Sequence, residues 1–305
     1  MHPKRRLWSD LRRDWQLYLF LLIPVVYIII FAYVPMGGLQ IAFKDFAARK
    51  GIFGSPWVGL KHFKKFFSSV YFGRTVGNTL ALSAYSLACG WPLPIIVALM
   101  LNCYRSQKVK SITQTIMTLP HFISVVVLVG MLFQIFSARN GIYGAAIFRL
   151  TGTRPTDPFA TPSNFRHFYL WSGVWQDFGW GSIIYLAALT NIDPTLYEAA
   201  QVDGAGRFRQ AIHVTLPGIV PTIMVLLILR CGSIMNVGYE KIILLYNDNT
   251  LETADVISSF VYRRGLLERN YSYSSAVGLF NSTVNLIILV GANQLSRRLD
   301  GSSLW

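Results

Sequence analysis

Asn191-Ile-Asp-Pro-Thr-Leu-Tyr-Glu-Ala-Ala-Gln-Val-Asp-Gly-Ala-Gly-Arg-Phe-Arg-Gln-Ala-Ile-His-Val-Thr-Leu-Pro217 is a polar stretch between two apolar ones. Asp193 before Pro194 is a helix start, because a carboxylate can accept from the first free amides and proline suits the first helical position. Leu196 to Val202 favours helix, and Gly204 with Gly206 stops it. Phe208 to Val214 resumes as a second short helix before Leu216-Pro217 enters the next apolar run. The stretch reads as a helix–turn–helix lying on a membrane surface.

The rest of the chain supplies the membrane. Of 305 residues, 53% are hydrophobic and only 14% charged, against about 25% charged in soluble domains. The net charge of +14 would suit nucleic acid only if it formed a basic face on a soluble fold; here the basic residues lie between apolar runs, and no nucleic-acid partner is expected. A helix needs about 20 apolar residues to cross the bilayer. Six spans are predicted, over 17–34, 76–101, 112–136, 170–190, 216–235 and 276–295, giving one all-α transmembrane domain over 1–305. The first follows Lys4, Arg5, Arg6, Arg12 and Arg13, ends at Pro35, and is too long for a signal peptide, so it reads as a retained helix. Pro92, Pro94 and Pro120 do not veto spans, since neighbouring helices can satisfy freed carbonyls.

An even number of spans puts both termini on one side. With the termini in the cytoplasm, the inner pieces hold 12 Lys and Arg and the outer loops 15, but the inner pieces are much shorter and so denser in charge. The basic N-terminus usually dominates orientation, which places both termini inside. The three cysteines form no C-x-x-C pair; Cys89, Cys103 and Cys231 read as small buried hydrophobes, and no metal site is expected.

The central stretch resembles the coupling-loop signature of bacterial ATP-binding-cassette (ABC) importer permeases: Glu198-Ala199-Ala200, then Gly204, then Leu216-Pro217 at the same spacing, with Val214 where that pattern has isoleucine. Gln40-Ile-Ala-Phe-Lys-Asp45, Gly54-Ser-Pro-Trp-Val-Gly-Leu60, Leu119-Pro-His-Phe-Ile-Ser124 and Tyr239-Glu-Lys-Ile-Ile-Leu-Leu-Tyr-Asn247 extend the resemblance to one subgroup. So do Glu252-Thr-Ala-Asp-Val-Ile-Ser-Ser-Phe-Val-Tyr-Arg-Arg-Gly265 and Ser302-Ser-Leu-Trp305. That subgroup is the carbohydrate type, similar to the permeases of alginate- and maltose-type importers of oligosaccharides and polysaccharide fragments. The resemblance implies a type I importer core of spans two to six with one helix added in front. It also implies a multi-pass subunit of the bacterial cytoplasmic membrane that does no covalent chemistry. Its expected partners are two ATPase subunits, a second and similar but non-identical permease chain, an extracytoplasmic solute-binding protein, and membrane lipid.

No phosphate loop is present, since the dipeptide Gly-Lys never occurs, so ATP and Mg belong to the ATPase subunits and no cofactor is expected on this chain. The coupling residues are then Glu198, Ala199, Ala200, Asp203, Gly204, Leu216 and Pro217. Glu198 offers a carboxylate to a basic partner residue, the alanines allow close approach, and Gly204 lets the chain turn.

Asp177 and Arg230 fall within spans, where charge is costly and normally faces a cavity or a partner. At similar depth, they read first as an ion pair, with solute contact by Arg230 the alternative. Trp175 and Tyr239 complete the translocation-path candidates, since aromatic rings stack on sugar faces; Trp171 suits the interfacial aromatic belt. His121 reads as a packing or capping residue. The long outer loops 36–75 and 236–275 are candidates for docking a solute-binding protein, with an amphipathic helix over Phe63 to Phe72. The competing reading is an ion-coupled secondary transporter, which calls for internal repeats that this sequence does not show.

Overall fold

A computed structural model of the chain describes residues 13–104 and 106–299. The basic stretch through Arg12 and the C-terminal Ser302–Trp305 lie outside the described residues. The described residues are mostly helical and form no strand, with one isolated antiparallel bridge between Lys44 and Trp57. Four continuous helices are long and apolar enough to cross a membrane: Trp15–Phe43, Val70–Asn102, Arg207–Gly232 and Tyr271–Arg298.

Three of these contain the same local device. A five-residue π-helical turn ends two residues before a proline in each: Ile29–Tyr33 before Pro35, Ser86–Gly90 before Pro92, and Ala211–Thr215 before Pro217. A proline ring clashes with the carbonyl four residues earlier and leaves it without a donor; the wider π turn moves that carbonyl aside. This corrects two expectations. The first helix does not end at Pro35 but runs on to Phe43. The second arm of the loop 191–217 is not a separate short helix but the start of the continuous helix Arg207–Gly232.

The expected span 112–136 is not one continuous helix. It is two helices, Gln107–Phe122 and Val125–Phe136, bent by 95°. Pro120 sits in a tight 3-10 turn over Leu119–Phe122, Ile123 is extended, and Ser124 Oγ caps the second helix by accepting from Val127 N at 3.4 Å. The fourth expected span lies within the helix Pro162–Leu189, 28 residues long, whose Gln176 and Asp177 keep it from being apolar throughout.

Three apolar clusters hold the bundle. One joins Leu82, Val129, Phe165, Val237 and Ile242; another joins Ala98, Leu101, Tyr185, Leu189 and Ile219. The third packs Phe66, Met235, Phe260, Tyr273 and Val277. Phe66 and the buried His62 sit on the helix Lys61–Phe67, which ends before Val70 opens the next helix, so the expected helix over Phe63 to Phe72 is broken at Ser68 and Ser69. Trp15–Ile28 buries none of its residues within the chain; a helix apolar on every side is suited to lipid or to another membrane chain. The cysteines are also corrected: Cys89 and Cys231 are half-buried and Cys103 is exposed.

The loop 236–275 is folded rather than free. Its Asp255 side chain is fully buried and accepts from Arg74 at 3.1 Å, Arg263 at 2.8 Å and Ser259 Oγ at 3.0 Å. Asn78 donates to the Asp255 carbonyl at 3.0 Å and accepts from Arg166 at 3.0 Å. Removing one member of a buried charge set leaves the others uncompensated. Asp255→Asn is therefore expected to cost about 3 kcal/mol, the low end for breaking a buried pair because both guanidinium groups keep some water. Arg74→Gln, which leaves Arg263 on the carboxylate, is expected to cost less. Thermal unfolding of the purified variants in detergent checks both values and their order.

Candidate functional site: a capped hairpin and a cavity between helices

The hairpin is built as its residues dictate. Asp193 Oδ1 accepts from Thr195 N at 2.9 Å, and Pro194 opens the helix Pro194–Val202. Hydrogen bonds from the Thr195 backbone and side chain hold the Asp193 carboxyl below the usual carboxylate range. At the other end Gly204 takes φ +73°, and Ala205 N closes on Ala200 O at 2.8 Å. This left-handed closure is the geometry for which glycine is favoured.

The helix is tied to the membrane segment that follows. Tyr197 OH and Thr215 Oγ1 are 3.2 Å apart, and Gln210 Nε2 donates to Ala205 O at 2.9 Å. Gly218 lies so close to Ile192 that an added Cβ would meet its Cδ1 at 2.8 Å. Arg207 donates to Cys103 O at 3.3 Å, joining the hairpin to the end of Val70–Asn102. Glu198 and Ala199 stay exposed, as do Val202 and Phe208 at 89% and 80%. Between the arms lies a groove of about 410 Å³ lined by Ala199, Ala200, Asp203, Arg209 and His213. The hairpin is thus a short capped helix, braced to a long apolar helix and exposed on its outer side. Leu216 and Pro217 sit at the joint where the π turn passes into the rest of that helix.

The second feature is a cavity of about 600 Å³ between the helices Val70–Asn102, Pro162–Leu189 and Arg207–Gly232 and the segment 238–241. Asp177, Arg230 and Tyr239 line it, whereas Trp175 does not and is 43% exposed elsewhere on its helix. Asp177 and Arg230 are not an ion pair. Asp177 Oδ1 is 2.9 Å from His121 Nδ1 instead, and the His121 ring stacks on Trp180 with centroids 4.5 Å apart. The partner was hidden because His121 approaches only through the bend at Ile123, whose carbonyl accepts from Gln176 Nε2 at 2.6 Å.

Other lining residues escaped the sequence reading. Trp91 stands after the π turn, and Tyr169 and Lys241 meet across the cavity wall. Lys241 is nearly buried; its Nζ donates to Tyr169 O at 2.9 Å and lies 5.0 Å from the Tyr169 ring centroid. Burial pushes the Lys241 ammonium down to about 8, with the Asp177 charge opposing the shift, so it is mostly protonated at neutral pH. Its position in a polar outer loop gave no signal; only the folding of 236–275 against the bundle brings it inward. The wall combines aromatic faces with polar donors, which suits a polar solute with flat apolar faces.

Residues 90–301 match the model of the family described as binding-protein-dependent transport system inner membrane component. Protein LplB of Bacillus subtilis (strain 168) is 42% identical over 298 residues, covering 97% of this chain and 93% of that one. The polygalacturonan/rhamnogalacturonan transport system permease protein YteP of the same organism is 40% identical, covering 99% and 94%. Among solved structures, a chain of a bacterial alginate ABC transporter in complex with alginate pentasaccharide-bound periplasmic protein superposes with a TM-score of 0.89 at 44% identity, covering 98% of this chain and all of that one.

Proposed function

The chain belongs to the family of binding-protein-dependent transport system inner membrane components, and on that premise we propose how it works as one half of an importer's pathway. It is a permease subunit of an ABC importer with the type I permease fold, and it catalyses no reaction itself. The solute is an oligosaccharide or polysaccharide fragment, by similarity to the relatives named above. The chain is one transmembrane domain with six spans and both termini in the cytoplasm: the first helix stands in front of the core, and the bent pair and Pro162–Leu189 count as the third and fourth spans.

ATP and Mg bind on two ATPase subunits that seat against Pro194–Val202, with Glu198 and Asp203 facing basic groups and Ala199 and Ala200 allowing contact. A second, similar permease chain closes the other side of the cavity, and a loaded solute-binding protein docks on the outer segments 36–75 and 236–275. ATPase closure rotates the hairpin, and the braces at Tyr197, Thr215 and Gly218 pass that rotation to Arg207–Gly232, which carries Arg230 at the cavity. The observation that supports this reading most strongly is the capped, exposed helix Pro194–Val202 locked to a membrane helix by its own loop.

Purification from native membranes in mild detergent, followed by mass spectrometry, tests it. A stoichiometric ATPase and a second multi-span chain are expected. A chain that emerges alone and still moves solute in ATP-free vesicles would return the reading to an ion-coupled transporter.

A further inference from the structure

We infer, on the reading that this chain is one of two permease chains, that the polar edge of Gln107–Phe122 seats the second chain, through a membrane helix carrying its own amide or hydroxyl groups. Gln107–Thr118 buries none of its residues within the chain, and its two exposed faces differ. Ile112, Ile116 and Leu119 are 61%, 62% and 57% exposed and form an apolar stripe at helical spacing. Beside it Gln114, Thr115, Thr118 and Phe122 line, with Ile183, a groove of about 340 Å³. Thr115 and Thr118 donate to Ser111 O at 2.9 Å and Gln114 O at 2.7 Å. The Gln114 side-chain amide has no hydrogen-bond partner among the described residues.

The register along Pro162–Leu189 gives the depth. Met117 abuts Gly179, and Ile123 O accepts from Gln176 Nε2 at 2.6 Å, so the two helices run antiparallel. Gln114 shares the groove with Ile183, which stands about 9 Å from the helix end at Leu189, at 1.5 Å per residue. The 28-residue helix is about 42 Å long; centred on about 30 Å of hydrocarbon it overhangs about 6 Å at each end. Gln114 therefore stands just inside the apolar layer, with Thr118 one turn deeper. An uncommitted amide is costly against lipid, and a hydrogen-bonding side chain on a neighbouring membrane helix relieves that cost. The apolar stripe at Ile112 and Ile116 needs no such partner and is left to lipid. The groove also continues the cavity. Gln176 stands on the cavity wall, the Trp180 ring follows one turn on and meets Phe122 at 5.9 Å between centroids, and Phe122 with Ile183 opens the groove. A second chain that closes the cavity thus runs on into the groove.

The test places the photo-crosslinking residue p-benzoylphenylalanine at position 114 or at position 116 of the full chain in native membranes. After irradiation the chain is purified and its adducts are identified by mass spectrometry. Position 114 is expected to crosslink to a second multi-span chain, and position 116 to lipid. In a separate arm, Gln114→Leu is expected to loosen the second chain about threefold or more on dilution in detergent, the scale of one hydrogen bond between membrane helices. Gln114→Asn is expected to keep part of the hold and Ile116→Ala all of it, with thermal unfolding of the chain itself unchanged in each. An adduct of position 114 with lipid or with an ATPase alone overturns the inference. So does a crosslink to the second chain from position 116 but not 114, or a Gln114→Leu variant that holds its partner as tightly as the wild type. Failure of the underlying reading shows separately, as a wild-type chain that purifies with no second multi-span chain at all.

Discussion

Gly204→Val is expected to reduce binding-protein-stimulated ATP hydrolysis to the unstimulated level while the chain still inserts in the membrane. Nothing lies within 4 Å of a Cβ placed on Gly204, so the substitution meets no steric neighbour. What it meets is the backbone: φ is +73°, a conformation that costs an L-residue about 1–2 kcal/mol and a β-branched one more. The chain relieves that cost by rerouting the turn, which breaks the closure of Ala205 N on Ala200 O and swings Pro194–Val202 away from Arg207–Gly232. The loss is of alignment rather than of folding. Gly204→Asn, whose side chain tolerates the left-handed region, is expected to retain most of the stimulation. Glu198→Lys changes only an exposed charge and is expected to abolish stimulation by repelling a basic partner surface. Reconstituted ATPase assays with and without the binding protein decide between these outcomes; full coupling in both Gly204→Val and Glu198→Lys would remove the loop from the mechanism.

Gly179→Ala is expected to be the most damaging single methyl group in the membrane region. A Cβ there would stand 2.0 Å from the Met117 carbonyl oxygen and 2.3 Å from its carbon. Both are backbone atoms of the helix Gln107–Phe122, so no rotamer change relieves the clash and the two helices must separate. Overpacking of this kind costs about 3 kcal/mol. The separation also stretches the Gln176–Ile123 contact at 2.6 Å and the His121–Asp177 contact at 2.9 Å, which hold the 95° bend against Pro162–Leu189. Lower thermal stability in detergent and weaker assembly with the partner chains are expected together. Gly130→Ala is the matched control, a helical glycine with nothing within 4 Å of the added atom, where alanine is expected to be neutral or mildly stabilising.

The hairpin 191–217 was legible because its determinants are local. An acceptor at Asp193, a ring-fixed φ at Pro194 and a side-chain-free Gly204 act over three or four residues, and each does in the structure what its chemistry requires. The apolar runs were legible for a similar reason, since transfer to lipid depends on composition along a segment. The cavity was half legible. Asp177, Arg230 and Tyr239 stood out as charges or aromatics in or beside apolar runs and do line it, but Trp175 is not among its lining residues, because aromatic composition alone does not say which side of a helix meets a cavity.

What the sequence determined by itself, then, is an all-helical chain with several apolar helices, the capped helix Pro194–Val202 between two of them, and the family in which that combination occurs. The prolines were visible too, but whether each ends a helix depends on its surroundings: π turns carry the chain past Pro35, Pro92 and Pro217, while near Pro120 the helix breaks. Tertiary structure alone decided the partners of charge. Asp177 meets His121 rather than Arg230 only because a bend 53 residues earlier in the chain is docked on Gln176. Asp255 gathers Arg74 from 181 residues away, and Lys241 enters the cavity only because its loop folds back. Electrostatic pairing is set by distance in space, over which a linear pattern has no control until the apolar segments have packed.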